Sequence, residues 1–264
     1  MTTHFRIVAL LVVVGIAAVA ALQVVREPRF GAEVPVPRAP ILPDLITLPL
    51  IDLLVGTDEH TGEEALRFTA TIANIGPGAL SIEGRRENGS SDRWAVVQWF
   101  EEPTGGRTGI RTGANLVFGG HGHEHWHLRF GAAYRLSPAD DTDTIAEQTK
   151  AGYCFFDQVR IDPEVSGAPD EFVFDTRGCG GRDVLSSTMG MSVGWSDPYQ
   201  WYLEDQSVTM TGLADGRYRL TAITDPDGWL QEADETNNET WIEFELGTQA
   251  DGLRTVEVVE SPTP

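Results

Sequence analysis

Apolar and polar residues alternate along much of the chain from residue 44 onward, and a period of two is typical of half-buried β-strands. Four apolar residues of the segment LRFTATIANIG alternate with polar ones: Leu66, Phe68, Ala70 and Ile72. Three further segments have a strand-like composition: RWAVVQWF, RYRLTAIT and WIEFEL. Turn-forming GPG, ADG and PDG separate them, and only DDTDTIAEQTK predicts a short helix. We therefore predict a mainly β fold, an antiparallel β-sandwich or barrel-like domain with few short helices.

The N-terminal segment has a different pattern, because Arg6 precedes a long uninterrupted apolar run. This predicts an N-terminal apolar helix, either a signal peptide or an uncleaved anchor in which residues 7–25 span a bilayer. The chain then divides into four predicted parts: residues 1–25 (signal peptide or membrane anchor), 26–43 (proline-rich linker), 44–246 (β domain) and 247–264 (polar tail with one possible short strand). Both interpretations of the leader place the domain outside the cytoplasm, secreted or membrane-anchored.

The charge and the cysteine count narrow the range of partners and compartments. The net charge of -21 makes nucleic acid a poor partner, since binding it begins with neutralising phosphates. A cationic partner or substrate fits better, although solubility or adaptation to salt also explains the charge. The two cysteines, Cys154 and Cys179, could pair in an oxidising compartment or remain free buried thiols. Lys150 is the only lysine of the chain.

Histidine is concentrated in one short segment, GGHGHEHWHLRF. Four of the 6 histidines occupy alternate positions there: His121, His123, His125 and His127. On a strand such residues share one face, and the neighbouring glycines permit the bend that brings three imidazoles onto one ion. Three imidazoles without a nearby thiolate suit Cu(II) or Zn(II) with an open coordination position. The alternatives are an adventitious metal-binding tract and a set of solvated polar residues.

Two motifs, HEHWH and KAGYC, resemble those of the lysyl oxidase family of copper-dependent amine oxidases. The family's His-x-His-x-His copper motif matches His123, His125 and His127, and His121 lies outside it as a nearby polar group or an alternative ligand. The second motif begins at Lys150, which matches the family's cofactor lysine. An arginine could not serve there, because its guanidinium is never usefully deprotonated.

The segment GMSVGWSDPYQWYLEDQSVTMTGLADGRYRL carries the third similarity to the family. It implies that Tyr199 is the cofactor tyrosine, with Tyr202 as the second choice, and that Asp197 matches an aspartate of the family. A fourth similar segment, DPDGWLQEADETNN, ends in two asparagines. The chain departs from the animal members in having only two cysteines and no histidine shortly after the copper motif, so it resembles a minimal prokaryotic-type member.

The resemblance implies oxidative deamination of primary amines, either lysine side chains or small amines and polyamines, to aldehydes with O₂. Copper and lysine tyrosylquinone, formed from Lys150 and Tyr199, would be the cofactors, and Asp197 is the candidate base. A turn-capping role before Pro198 is the alternative for this aspartate. Two other functions remain open: a non-enzymatic extracytoplasmic copper-binding module, and a zinc hydrolase for which Glu124 would have to approach the metal.

Overall fold

The computed structural model describes residues 39–58, 60–119, 124–129, 131–141, 143–149, 152–161 and 165–262. The predicted leader, and most of the predicted linker, lie outside these residues. The same holds for His121, His123 and Lys150. The described part of the chain contains no helix long and apolar enough to cross a membrane.

The fold is mainly β, as predicted. The described residues form these strands: β1 Leu45–Thr47, β2 Ile51–Thr57, β3 Glu64–Asn74, β4 Leu80–Arg85, β5 Ala95–Glu101, β6 Arg107–Arg111, β7 Leu116–Phe118, β8 Trp126–Arg129, β9 Ala132–Pro138, β10 Ala146–Thr149, β11 Gly152–Tyr153, β12 Val159–Arg160, β13 Ser186–Met191, β14 Trp195–Tyr199, β15 Ser207–Thr209, β16 Gly216–Thr224, β17 Glu239–Thr248 and β18 Arg254–Glu260. The helical content within them is a single 3₁₀ turn, Thr176–Cys179.

All strand pairs in the described residues are antiparallel, and they form four sheets. The first is six-stranded in the order β1-β3-β14-β12, with β2 and β15 also paired to β3. The second is five-stranded, in the order β10-β9-β16-β17-β18. A three-stranded sheet, β11-β8-β7, and a four-stranded sheet, β13-β4-β5-β6, complete the fold. This arrangement confirms the predicted antiparallel architecture.

The core lies between the two larger sheets, as in a sandwich. Phe68 of β3 meets Tyr134 of β9 edge to face, with ring centroids 4.7 Å apart, and both side chains are fully buried. The segment WIEFEL forms part of β17, as its composition predicts, and its alternate residues Ile242, Phe244 and Leu246 are all buried. The segment LRFTATIANIG is more enclosed than the alternation predicts, because β3 is a central strand with covered residues on both faces.

The predicted helix DDTDTIAEQTK is wrong. Ala146–Thr149 forms β10, in which Ala146 pairs with Leu136 of β9. The preceding acidic residues form a turn, where the side chain of Asp141 accepts a hydrogen bond from the backbone N–H of Asp143. Pairing with β9 satisfies the backbone of this segment between strands, so a long-range contact overrides a weak local helix preference.

The segment DPDGWLQEADETNN fastens the first strand to the second sheet. The carboxyl group of Glu232 accepts hydrogen bonds from the backbone N–H of Leu45 at 2.6 Å and from Nδ2 of Asn238 at 2.6 Å. Asn237 donates to Asp44 at 2.8 Å. Glu232 is only 5% exposed, and its burial, with the nearby carboxylates, raises its pKa from 4.5 to about 7. The two asparagines of this motif therefore have a structural role in the fold.

We predict that Glu232 makes the protein less stable as the pH rises through neutrality. Its pKa is higher in the folded than in the unfolded chain, so its contribution to stability is fully present below pH 4.5 and is lost as the pH passes about 7. Between pH 5 and pH 8 the free energy of unfolding of the wild type should fall by about 2 kcal/mol more than that of Glu232→Gln. Urea unfolding of both proteins across this range measures the difference, and parallel pH profiles would contradict the prediction.

Candidate functional site

The described part of the histidine motif, His125 and His127, lies at the start of β8, which pairs with β7. Gly119 donates a backbone hydrogen bond to His125 at 3.0 Å, which closes the hairpin before the strand begins at Trp126. His127 is 6% exposed, and its ring lies 4.4 Å from the ring of His125, measured between centroids, with an angle of 49° between the planes. Two imidazoles this close can both bind one ion, since each ligand nitrogen lies about 2.0–2.1 Å from a bound metal.

Residues after Lys150 run beside the histidine strand as β11. Gly152 pairs with Arg129 and Tyr153 with Leu128 of β8. A Cβ atom at Gly152 would lie 2.3 Å from Cβ of His127, a distance that no side chain can occupy. Glycine is thus required here, because it lets this segment pack directly against a predicted copper ligand.

The hydroxyl of Tyr199 reaches the same segment from another sheet. The backbone N–H of Cys154 donates to the Tyr199 hydroxyl at 3.0 Å, across 45 residues of sequence. Tyr199 is 5% exposed, and its ring lies 4.1 Å from that of Tyr153. Gly152 and Cys154 are two residues apart, which is about 7 Å along a strand. The predicted cofactor tyrosine and His127 therefore both contact one short segment, residues 152–154.

Tyr153 and Tyr134 surround Tyr199 with further buried phenols that the sequence analysis did not single out. Their hydroxyls are 2.7 Å apart, and that of Tyr134 donates to Gln206 at 3.1 Å. Burial raises the pKa of Tyr134 to about 12 and raises the pKa values of Tyr153 and Tyr199 well above 10.0. These hydroxyls stay protonated at neutral pH. The aromatic position of the KAGYC motif was the available signal for Tyr153.

Asp197 lies two residues before Tyr199 on β14, on the same face of the strand, and is fully buried. Its Oδ1 accepts a hydrogen bond from Nε2 of Gln158 at 2.6 Å. The negative charge of Asp197 is the second cause, after burial, of the raised pKa of Tyr199. Asp197 belongs to a paired strand, so a turn-capping role does not describe it. Tyr202, the second choice for the cofactor tyrosine, is 59% exposed.

A disulfide and a hydrogen-bonded aspartate connect the segment after Lys150 to neighbouring parts of the fold. Cys154 and Cys179 form a disulfide, as predicted, which ties the residue that contacts Tyr199 to the 3₁₀ turn. Asp157 accepts hydrogen bonds from the backbone N–H and the hydroxyl of Ser192, at 2.7 and 2.8 Å. Ser192 is the serine of the GMSVG motif, so this motif connects the chain after Cys154 to the strand that carries Tyr199.

The described residues include two of the three predicted copper ligands, His125 and His127, and the predicted cofactor tyrosine, Tyr199. No group of three or more His, Cys, Asp or Glu side chains suited to a metal is found among them, and His123 lies outside this set. Lys150 also lies outside, between the described Thr149 and Gly152. Glu124 is exposed, whereas His127 is buried.

No protein-family model matches this chain, and no characterised protein matches its sequence.

We predict that Gly152→Ala destabilises the protein by about 1–3 kcal/mol, because the new Cβ must displace either β11 or His127. Gly89→Ala is the matched control, since a Cβ at Gly89 meets no atom within 4 Å. Thermal unfolding of the two variants provides the comparison. Equal unfolding temperatures would contradict the close packing of β11 against the histidine strand.

Proposed function

We propose that the protein is an extracytoplasmic, copper-dependent amine oxidase that acts on primary amines. One observation carries the proposal. The Tyr199 hydroxyl is hydrogen-bonded to the backbone four residues after Lys150, in a segment that packs directly against His127. A proposed metal ligand and the proposed cofactor tyrosine thus both contact residues 152–154, which directly follow the only lysine in sequence, and this supports the proposal.

The residues present fit the proposed cofactors. The close His125 and His127 rings suit one copper ion, with His123 as the third proposed ligand. Lysine tyrosylquinone, formed from Tyr199 and Lys150, would supply the electron acceptor that ordinary side chains lack. The overall reaction balances as one primary amine, one O₂ and one H₂O giving one aldehyde, one NH₃ and one H₂O₂.

The chain itself would orient the Tyr199 ring. The hydrogen bond from Cys154 fixes the hydroxyl, and the Tyr153 ring restricts the phenol from one side. Asp197, on the same strand face, is the proposed base for the proton on the carbon next to the amine nitrogen. Its hydrogen bond from Gln158 would fix the carboxylate in place.

The charge and the disulfide support the proposed substrate and location. A net charge of -21 attracts protonated amines, such as lysine side chains or polyamines. The disulfide is consistent with an oxidising compartment outside the cytoplasm. Secretion or membrane anchoring through residues 7–25 remains part of this proposal.

The test is a quinone assay on the full chain after incubation with copper and air. We expect a visible absorption band that phenylhydrazine titrates, and release of H₂O₂ when primary amines are added. Lys150→Arg and Tyr199→Phe should lose the band and the activity while they retain copper. Tyr202→Phe is the matched control and should keep all three properties, because this exposed tyrosine is outside the proposed site.

Other outcomes assign the remaining functions. Copper bound by all four proteins without a band or peroxide would indicate the non-enzymatic copper-binding module. Hydrolysis that depends on zinc and on Glu124 would indicate the hydrolase, although Glu124 is exposed whereas His127 is buried. A band that survives in both Lys150→Arg and Tyr199→Phe would exclude the proposed cofactor.

A further inference from the structure

The loop between β4 and β5 contains the one asparagine of the chain that precedes a glycine, Asn88 before Gly89. Every other asparagine precedes a residue with a side chain: Asn74, Asn115, Asn237 and Asn238. The backbone nitrogen of the following residue can attack an asparagine amide, and a glycine hinders this attack least because it has no Cβ. The proposed amine oxidation uses no residue of this loop.

Both residues of this pair are open to solvent. Asn88 and Gly89 are exposed, and a Cβ atom at Gly89 would meet no atom within 4 Å. The backbone N–H of Gly89 donates no hydrogen bond to any of the residues that the structure describes. The attacking nitrogen is therefore neither covered by neighbouring groups nor held by an acceptor, and water can reach the amide.

The side-chain oxygen of Asn88 is held by two donors of one residue. Its Oδ1 accepts hydrogen bonds from the backbone N–H of Ser90 at 3.1 Å and from the Ser90 hydroxyl at 2.7 Å. Attack on Cγ moves negative charge onto this oxygen, and donors that point at a developing oxyanion stabilise the transition state. The structure of the loop thus favours the reaction in addition to the sequence.

We propose that Asn88 is a self-modification site, at which the side chain cyclises with the backbone of Gly89 and then opens to aspartate and isoaspartate. The Gly89 nitrogen forms a bond to Cγ of Asn88, the Cγ–Nδ2 bond breaks, and the proton of the attacking amide leaves with Nδ2 as ammonia. One water molecule then hydrolyses the succinimide. Cleavage at the side-chain carbonyl gives aspartate, and cleavage at the main-chain carbonyl gives isoaspartate, in which the backbone runs through Cβ and Cγ.

The isoaspartate product affects the buried Arg86. Nη1 of Arg86 donates to the carbonyls of Gly89 at 3.0 Å and Ser91 at 3.2 Å, so this loop supplies acceptors for its guanidinium. Arg86 is 8% exposed, and its guanidinium lies 4.6 Å from the ring centre of Trp126, in the strand of the histidine motif. An additional backbone atom after residue 88 displaces the Gly89 carbonyl, and a buried charged donor that loses an acceptor destabilises the fold. The aspartate product leaves the backbone length unchanged.

The first experiment follows the reaction in the full chain during incubation in mildly alkaline buffer. Peptide mapping by mass spectrometry locates the gain of about 1 Da per modified side chain, and isoaspartyl methyltransferase quantifies the isoaspartate. We expect Asn88 to react about tenfold faster than any other asparagine, and Gly89→Ala to slow it about tenfold. This variant should keep the fold, since the new Cβ meets open space. Ser90→Ala should slow the reaction about threefold, because the oxyanion loses one donor.

The unfolding temperature tests the effect on Arg86. The isoaspartate form, purified by chromatography, should unfold about 3 °C below the unmodified chain. Asn88→Asp is the matched control, because it adds the same charge without the additional backbone atom, and it should unfold with the wild type.

The two experiments have separate contradicting outcomes. Absence of the mass gain at Asn88, or equal rates in the wild type and Gly89→Ala, would overturn the self-modification. A rate that Ser90→Ala leaves unchanged would overturn the role of the two donors. An isoaspartate form as stable as Asn88→Asp would overturn the effect on Arg86.

Discussion

The contact between Gly152 and His127 is the constraint on which the arrangement of the site depends. Because residue 152 has no side chain, β11 lies directly against the strand that carries the histidine motif. This proximity brings the backbone of Cys154 to the position where it meets the Tyr199 hydroxyl. The chain on the C-terminal side of Lys150 thus contacts both partners of the proposed chemistry within three residues. A bulkier residue at position 152 would push β11 away from β8, and with it the Cys154 backbone that holds the Tyr199 hydroxyl.

Around this contact, side-chain hydrogen bonds and a disulfide connect segments that belong to different sheets or loops. Asp157 binds the loop that leads to Tyr199, and the disulfide holds Cys154 from the other side. Tyr134, from the second sheet, reaches Tyr153 through a hydroxyl pair. The site is consequently built from three sheets, and its geometry is as rigid as the packing of the core between them.

The sequence was sufficient for the strands and for part of the site, for different physical reasons. Alternation is a local property, so β3, β16 and β17 could be read from their own residues. The helix expected before Lys150 was wrong because β10 owes its form to β9, a partner that local propensity cannot reveal. The sequence left two states open for Cys154 and Cys179, a disulfide and two free buried thiols, and the structure contains the disulfide.

Some site residues could be identified from motifs in the sequence, whereas others could be recognised only from contacts in the fold. Tyr199 and Asp197 were found by resemblance, and their burial beside Gln158 and Cys154 became visible only in the fold. Tyr134 belongs to no motif, and Gln206 lies within the third similar segment without a role of its own there, so the sequence did not indicate that these two residues border the site. The requirement for glycine at position 152 likewise depends on a strand that lies more than twenty residues earlier in the chain.

The arginine-aromatic pairs on the outer faces of the strands have a chemical consequence. The Arg107 guanidinium lies 4.2 Å from the ring centre of Trp99, and that of Arg219 lies 4.4 Å from the ring centre of Trp241. A lysine ammonium can make the same kind of contact with an aromatic ring. A guanidinium has no primary aliphatic amine for an amine oxidase to attack. With Lys150 as its sole lysine, an oxidase of this composition offers neighbouring copies no lysine side chain on the remaining surface to convert into an aldehyde. It would thereby be protected from crosslinking itself.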